Sequence, residues 1–470
     1  MNPRTVRLIV ALLLLGIVGV KPAIALNETT HEIINEQAVR QSTLDQVLKS
    51  QLGFREGIDE PFGGRAVFRW LRLGGVREDG GARFFNHFHD PLYQADGSGR
   101  GPWAQAGVAF LGRQHESSIH WMQRMHQTFR AGGGDWSWQD ARGYFRTALT
   151  APAPGAREQA FADTFRALGQ IMHLVVDASV PEHVRNDKHP GIIYDNYEHW
   201  VEKQHDGFRA DGSPDPNELA TFIATYLSAP FPFEFDTAIL QQPTNDPVAK
   251  VSVARLIDTD SYLGIAPNVT LGTAIGIAEI ANANFFSEDT GDRTYPFPNL
   301  DRLIPTTHTP PDRSTARAYF RKPNDEGLPA DPVLAECVLN ELAGIEGVIL
   351  APGVRSCTDP LVWSVVAGHM LPRAVVYARG VLDYFFRGTL SFTVSAGGPG
   401  GQSVLKITNT SSERMEGKFT LYADNSSDVR SQVASVDPLA LASKAMSDLH
   451  RDAGPPLQGA RVPVTSTEIG

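Results

Sequence analysis

The chain has 470 residues, of which 42% are hydrophobic and 20% charged, and its formal net charge is −11. This is an ordinary globular balance, long enough for one large domain and a smaller one. An acidic surface repels polyanions, which argues against duplex nucleic acid as a natural partner.

In chain order, Arg4 and Arg7 precede an apolar run from Leu8 to Val20, and Ala23-Ile24-Ala25 is a small-x-small cleavage site. The run is too short to span a bilayer, so residues 1–25 are expected to be a secretory signal peptide. No Cys follows the cleavage point, which argues against a lipid anchor. Cleavage removes Arg4, Arg7 and Lys21 and no acid, shifting the net charge by three to −14. A periplasmic or extracellular location is expected. In such an oxidising compartment the only two cysteines, Cys337 and Cys357, are expected to pair.

From Thr29 to about Asp206 the pattern is mainly helical, broken by Gly-rich loops. Thr29 and Thr30 can cap a helix beginning near His31. Gly101–Phe129 and Trp136–Leu149 read as helices. In Arg157–Val176, Phe161, Phe165, Leu168, Met172 and Val176 recur every three or four residues and form one apolar stripe, ended by Pro181. Asn217–Leu227, Asp246–Ile257 and Gly272–Phe286 also look helical. About Thr290 to Arg321 reads as irregular, and helices are expected to resume over Pro332–Gly344 and Pro360–Phe386. After Gly388, alternating residues in Thr389–Ser395, Ser403–Thr408 and Lys418–Ala423 predict half-buried strands. The expected fold is therefore mainly α: a helical domain over 26–387, then a small β-rich module over 388–470, too short of strands for a complete sandwich.

Chemistry concentrates between His173 and Asn186. His173 and Asp177 stand four apart near a helix end, so both project from one face. Pro181 turns the chain and lets His183 return toward the same cavity. Ionisable residues interrupting an apolar helical stretch need partners, and imidazoles with a carboxylate suit zinc. Taken one at a time, such histidines are more often surface residues; the combination carries the signal.

The run His173-x3-Asp177-x5-His183, with Pro181 two before the last His, resembles the signature of bacterial zinc-dependent phospholipases C and the related single-strand-specific nucleases. Other parts of that pattern occur in the same order. Thr30-His31-Glu-Ile-Ile matches a His near the mature N-terminus, and Asp79 leads through a loop to Asn86-His87-Phe88-His89-Asp90-Pro91. Tyr197-Glu198 opens a helix. The resemblance covers about residues 26–205 and implies up to three zinc ions. Asp79, His87, His173 and a shared Asp177 would hold one. His31, Asp177 and the free amino group and carbonyl of Leu26 would hold a second, complete only after the signal peptide is removed. His183, Glu198 and one further His would hold the third. The family's last pair is His-x3-Glu, but Tyr194 stands four before Glu198, leaving His189, His199 or water for that place. His189 is preferred because it lies in a loop close to His183, whereas His199 points about 100° from Glu198 on the helix.

Other candidates carry less. His115-Glu-Ser-Ser-Ile-His120 is one residue too long for HExxH. His115, His120 and His126 read as surface or packed residues, His89 as a group behind the ligands or a surface residue, and Asn186 and Asp187 as groups that orient ligands. The polar segment beginning at Glu279 borders a pocket or simply ends a helix. No nucleophile elbow and no phosphate-binding Gly loop occur.

The resemblance implies an exported phosphoric ester hydrolase of phospholipase C type, in which a metal-activated hydroxide attacks a phosphodiester and Asp79 orients or deprotonates the water. A phospholipid substrate, with the C-terminal module touching a membrane or the cell envelope, is the first reading. A single-strand nuclease or nucleotidase is the second; it needs aromatic residues near the metals, for which Trp103, Trp121, Trp136 and Trp200 are candidates. A metal-binding envelope protein without turnover is the third.

Overall fold

A computed structural model describes residue 26 and residues 28–92, 116–187, 196–207, 215–228, 240, 252–287, 295–310, 315–328, 331–336, 349–351, 354–396, 403–411, 414–441, 446–450 and 464–466. The expected signal peptide, His115, His189, Tyr194, Trp103 and Cys337 lie outside these residues. The fold is mainly α-helical with added β structure. Seven helices place the site: α1 (Glu28–Gln41), α2 (Val67–Glu78), α3 (Trp138–Thr150), α4 (Pro154–Asp177), α5 (Tyr197–Lys203), α6 (Ile277–Asn284) and α7 (Pro360–Phe385). Pro154 sits in the first turn of α4, where its missing N–H costs nothing. The apolar stripe of α4 packs with Ile34 and Ala38 of α1, Leu71 of α2, and Leu371 and Val375 of α7 in one core.

Helix α7 is apolar and long enough to cross a membrane by composition, but it is largely buried inside the protein. The Tyr377 hydroxyl in its middle donates to the Ile275 carbonyl at 2.6 Å. It is the central helix of a folded core.

Two helices cross at backbone contact. A Cβ built on Gly169 of α4 would stand 2.2 Å from the Leu71 carbonyl oxygen, and one on Gly74 of α2 would stand 2.4 Å from that of Arg166. Asn35 of α1 ties the crossing, its buried amide donating to the carbonyls of Leu71 and Gly169, both at 3.1 Å. Three helices are therefore locked together one turn below the residues of chemical interest.

Several expectations are corrected. Helix α1 begins at Glu28, so Thr29 and Thr30 lie inside it rather than capping it. The region around 118–131 holds two short helices, Ser118–Gln123 and Thr128–Ala131, rather than one long helix. His126 between them has φ of 61°, which a continuing helix forbids. The stretch read as irregular contains β1 (Ile304–His308) and β2 (Arg317–Arg321), a hairpin. Pro332–Glu336, read as the start of a helix, is strand β3; Val333, Leu334 and Ala335 are buried in succession, and such a run does not distinguish a sheet core from a helix. With β4 (Ile349–Ala351) and β5 (Val354–Cys357) these form an antiparallel sheet in the order β1-β2-β3-β5-β4. It packs on the start of α7 through Tyr319, Cys357 and Val362. Cys357 is disulfide-bonded.

The C-terminal segment is richer in strands than expected. It contains β6 (Leu390–Ala396), β7 (Ser403–Asn409), β8 (Met415–Asp424), β9 (Arg430–Leu441), β10 (Met446–His450) and β11 (Val464–Ser466), in two sheets ordered β10-β7-β6 and β9-β8-β11. Leu405 and Ile407 of one sheet meet Met415, Phe419 and Leu421 of the other in a separate small core. The chain here makes two layers, as in a small sandwich. Arg430 anchors it to the α3–α4 turn, its Nη1 donating to the Leu149 carbonyl at 2.7 Å and its backbone N–H to that of Pro152.

Candidate metal centre

The last turn of α4 carries His173 and Asp177, both fully buried. The Nδ1 of His173 lies 2.6 Å from the Gly75 carbonyl, so Nδ1–H donates there and Nε2 is left to face the site. This bond exists because the glycine crossing brings α2 against α4. Asp79 follows as the cap residue of α2. His87 comes in on the next turn, and His31 from the first turns of α1 stacks on His173 with ring centroids 3.6 Å apart.

Four atoms converge: Asp79 Oδ1, His87 Nδ1, His173 Nε2 and Asp177 Oδ2. His87 stands 3.6 Å from Asp79, 3.2 Å from His173 and 2.8 Å from Asp177. His173 stands 3.5 Å from Asp79 and 3.0 Å from Asp177. Donors on one tetrahedral zinc ion, with bonds of about 2.1 Å, stand roughly 3.4 Å apart. Five separations cluster about that value. On the other side, Asp177 Oδ1 lies 3.0 Å from His31 Nε2. Both Asp79–His87–His173 and His31–His173–Asp177 bring one donor atom per residue close enough to hold a metal ion.

The hydrogen-bond inventory tells the same story. Both ring nitrogens of His31, His87 Nε2, Asp79 Oδ1 and both Asp177 oxygens are buried without a hydrogen bond of acceptable geometry. The nearest contacts of Asp79 Oδ1 are 3.5 and 3.6 Å and that of His87 Nε2 is 3.9 Å, beyond ordinary hydrogen-bond length. Buried polar atoms left this way are costly unless something else binds them.

The charges also conflict. Burial pulls the His31 imidazole down to about 4, with His173 adding to the shift. Burial acts downward on His173 too, but the Asp177 and Asp79 carboxylates overcome it and raise it to about 10. For Asp177 burial acts upward, and the surrounding imidazoles overcome it to hold the carboxyl well below its usual range. Burial drives Asp79 well above its ordinary value, with Asp177 and Glu198 adding repulsion against the pull of His173. A divalent cation resolves this conflict, because it favours carboxylates ionised and imidazoles neutral. The donor set fits such an ion.

The third expected pair also meets. His183 Nε2 lies 3.1 Å from Glu198 Oε1, and its Nδ1 lies 3.6 Å from Asp177 Oδ2. Phe88 stacks on the His183 ring at 4.7 Å. The His183 carbonyl accepts from the His89 backbone N–H, and Asn282 of α6 donates to the adjacent Val184 carbonyl. His199 is partly exposed and sits 3.3 Å from Glu202, as its place on α5 requires. Leu26 is fully buried in the helical core five residues before His31.

Other expectations settle differently. His89 bridges Ser117 at 2.9 Å and Asp258 at 2.7 Å, a buried link behind the site. Asn186 donates to Asp90. His120 and His126 are exposed. Glu279 is a buried structural carboxylate, accepting backbone N–H groups from Thr259, Ser261, Tyr262 and Gly276. Trp121 and Trp136 are buried, which removes them as stacking faces, and Trp200 is half-buried.

Three supporting groups escaped the sequence reading. Glu78 accepts from Trp121 Nε1 at 2.6 Å and from Arg83 Nη2 at 2.7 Å, and its Oε1 lies 3.9 Å from His87 Nε2. Its signal was spacing: Leu71, Gly74, Gly75 and Glu78 share one buried face of α2. Thr30 meets His205 at 2.8 Å. The third, the Gly75 carbonyl, is a backbone group and has no side-chain signal.

No protein-family model matches the chain, and no curated protein matches it. Among solved structures it is similar to the alpha toxin from Clostridium absonum, at 13% identity and a TM-score of 0.33, over 92% of this chain and 84% of that one. The superposition is loose, and the site stands on its own residues.

If the donors hold metal, chelation must destabilise the protein. A ligand present at 100 times its dissociation constant adds about 2.7 kcal/mol. The melting temperature is expected to fall in excess chelator and to return when zinc is restored. A melting curve indifferent to chelator would contradict the assignment.

Proposed function

We propose that the protein is an exported, metal-dependent phosphoric ester hydrolase of phospholipase C type. The observation that carries this reading is the approach of Asp79, His87, His173 and Asp177 donor atoms to within 2.8–3.6 Å of one another in five pairs, in the order of the family motif. Leu26, His31, His183, Glu198 and His189 are proposed to complete two further zinc positions.

Bound divalent cations would supply Lewis acidity, lowering the pKa of water and neutralising charge on the phosphoryl oxygens. The protein's own part is orientation. Asp79 is 14% exposed, whereas the His31, His87, His173, Asp177 and His183 side chains are 0% exposed. Water and substrate therefore meet Asp79 first. Its carboxylate accepts a hydrogen bond from the attacking water and directs the lone pair at phosphorus. As the water oxygen bonds to phosphorus, the phosphorus–oxygen bond to the alcohol would break, and the proton given up by the water would pass by way of Asp79 to the departing alkoxide, leaving a diacylglycerol-like alcohol and a phosphomonoester. Glu78, braced by Arg83 and Trp121, sets a carboxylate 3.9 Å from His87 Nε2.

The phospholipase reading is favoured over the nuclease one by the burial of Trp121 and Trp136, two of the four candidate stacking platforms. The β module is proposed to serve contact with the cell envelope. The test is hydrolysis of phosphatidylcholine, single-stranded DNA and a chromogenic phosphodiester, with and without chelator, beside elemental analysis. Chelator-sensitive cleavage of the lipid is expected. Asp79→Asn is expected to lower kcat about 10²–10⁴-fold, the scale of general acid–base catalysis. Metal-loaded Asp79→Asn at full activity would refute the role, and no hydrolysis of any substrate would leave a metal-binding protein without turnover.

A further inference from the structure

Exposed apolar side chains are not scattered over this molecule. Of the eight large ones exposed among the described residues, Leu263, Ile265, Val269 and Leu271 fall within nine positions, at 58%, 80%, 42% and 56% exposure. A loose loop would make this incidental, but the loop is tightly built. The buried Glu279 carboxylate binds both of its ends, accepting Ser261 and Tyr262 N–H on one side and Gly276 N–H on the other, each at 2.7 Å. Its middle is held by Asn284 Nδ2, which donates to Thr270 Oγ1 at 3.0 Å. Polar groups fasten the loop from beneath while apolar ones point out. Such an arrangement displays a contact surface.

We propose that the loop from Leu263 to Leu271 is a docking edge that seats the protein on a zwitterionic phospholipid surface. Four observations select that occupant. No charged residue lies between Asp260 and Glu279, so entry into a lipid headgroup layer buries no charge. Four exposed side chains make a small patch, well short of the roughly 20–30 residues a side that a stable protein interface engages. The net charge, −11 for the full chain and three units more negative without residues 1–25, opposes an anionic surface and leaves a zwitterionic one accessible. The loop is also tied to the chain segment that follows His87. A Cβ at Gly264 would meet Pro296 at 2.9 Å and Leu92, two residues after Asp90, at 3.3 Å, and Asp258 at the loop's base holds His89. The inference rests on the hydrolase reading for its purpose and not for its existence.

The test is cosedimentation of the mature protein with phosphatidylcholine vesicles in the cold. The Leu263→Ser/Ile265→Ser double variant is measured in parallel, with hydrolysis of a soluble chromogenic phosphodiester as control. Both side chains are exposed, so the substitutions leave the fold intact. Wild type is expected to partition onto the vesicles, the variant at least tenfold more weakly, with hydrolysis of the soluble substrate unchanged. Equal partitioning of the two proteins overturns the proposal. So does wild type that ignores phosphatidylcholine, that binds phosphatidylglycerol vesicles alone, or that forms a dimer which the variant abolishes. Vesicle binding lost in the variant, with no hydrolysis of the soluble diester by wild type, removes the hydrolase reading and leaves the docking edge standing.

Discussion

Asp177→Asn is expected to abolish metal binding at the centre and to lower activity roughly 10³-fold or more, beyond the 10–100-fold typical of an outer-shell partner. The reason is how many groups lean on one carboxylate. Its Oδ1 faces His31 at 3.0 Å, and its Oδ2 faces His87 at 2.8 Å, His173 at 3.0 Å and His183 at 3.6 Å. Asn keeps the shape but removes the charge, and it can present an N–H where a lone pair is needed. A simpler role must be separated from this one. Asp177 is also the counter-ion of a buried His173, and breaking a buried ion pair costs about 3–5 kcal/mol by itself. Unfolding should therefore be measured in chelator and in zinc. If Asp177 acts as a ligand, the gap between wild type and variant widens when zinc is added. A variant that retains the wild-type metal content would end the argument for a shared ligand.

What was legible in the sequence divides along physical lines. The stripe in α4 could be read because a long helix with one buried face repeats its signal over several turns. His173 and Asp177 stood out because charge at that place in an apolar stretch needs a reason. Strand β3 was misread because Val333, Leu334 and Ala335 are buried together, and a buried run carries no period. The β module looked short of strands because β9 mixes Ser431, Gln432, Ser435 and Pro438 into what proves to be a long ladder beside β8. Strand pairing there depends on neighbours distant in sequence. The same limit applied to Glu78 and Asn35. Each is an ordinary polar residue until the helices are packed, and only then does it become a buried clamp.

The second large effect is expected at a residue with no chemistry. Gly169→Ala should weaken the fold by about 2 kcal/mol net and lower metal affinity about 10–100-fold. The added Cβ would stand 2.2 Å from the Leu71 carbonyl, and because the obstacle is backbone, α2 itself must shift. Overpacking of this kind typically costs about 1–3 kcal/mol, occasionally more. The helix preference of Ala over Gly returns about 1 kcal/mol, so an overpacking cost at the upper end, about 3 kcal/mol, leaves a net loss of about 2 kcal/mol. The shift carries Gly75 with it and loosens the bond that sets the His173 ring at 2.6 Å. Gly143→Ala on α3 is the internal control. Nothing lies within 4 Å of its added methyl group, so the same chemical change there should be neutral or stabilising by up to about 1 kcal/mol. Chemical denaturation and zinc titration of the two variants measure both quantities. If Gly169→Ala behaves like Gly143→Ala, the helices tolerate separation at this crossing, and close backbone contact is not what holds His173 in register with Asp79 and His87.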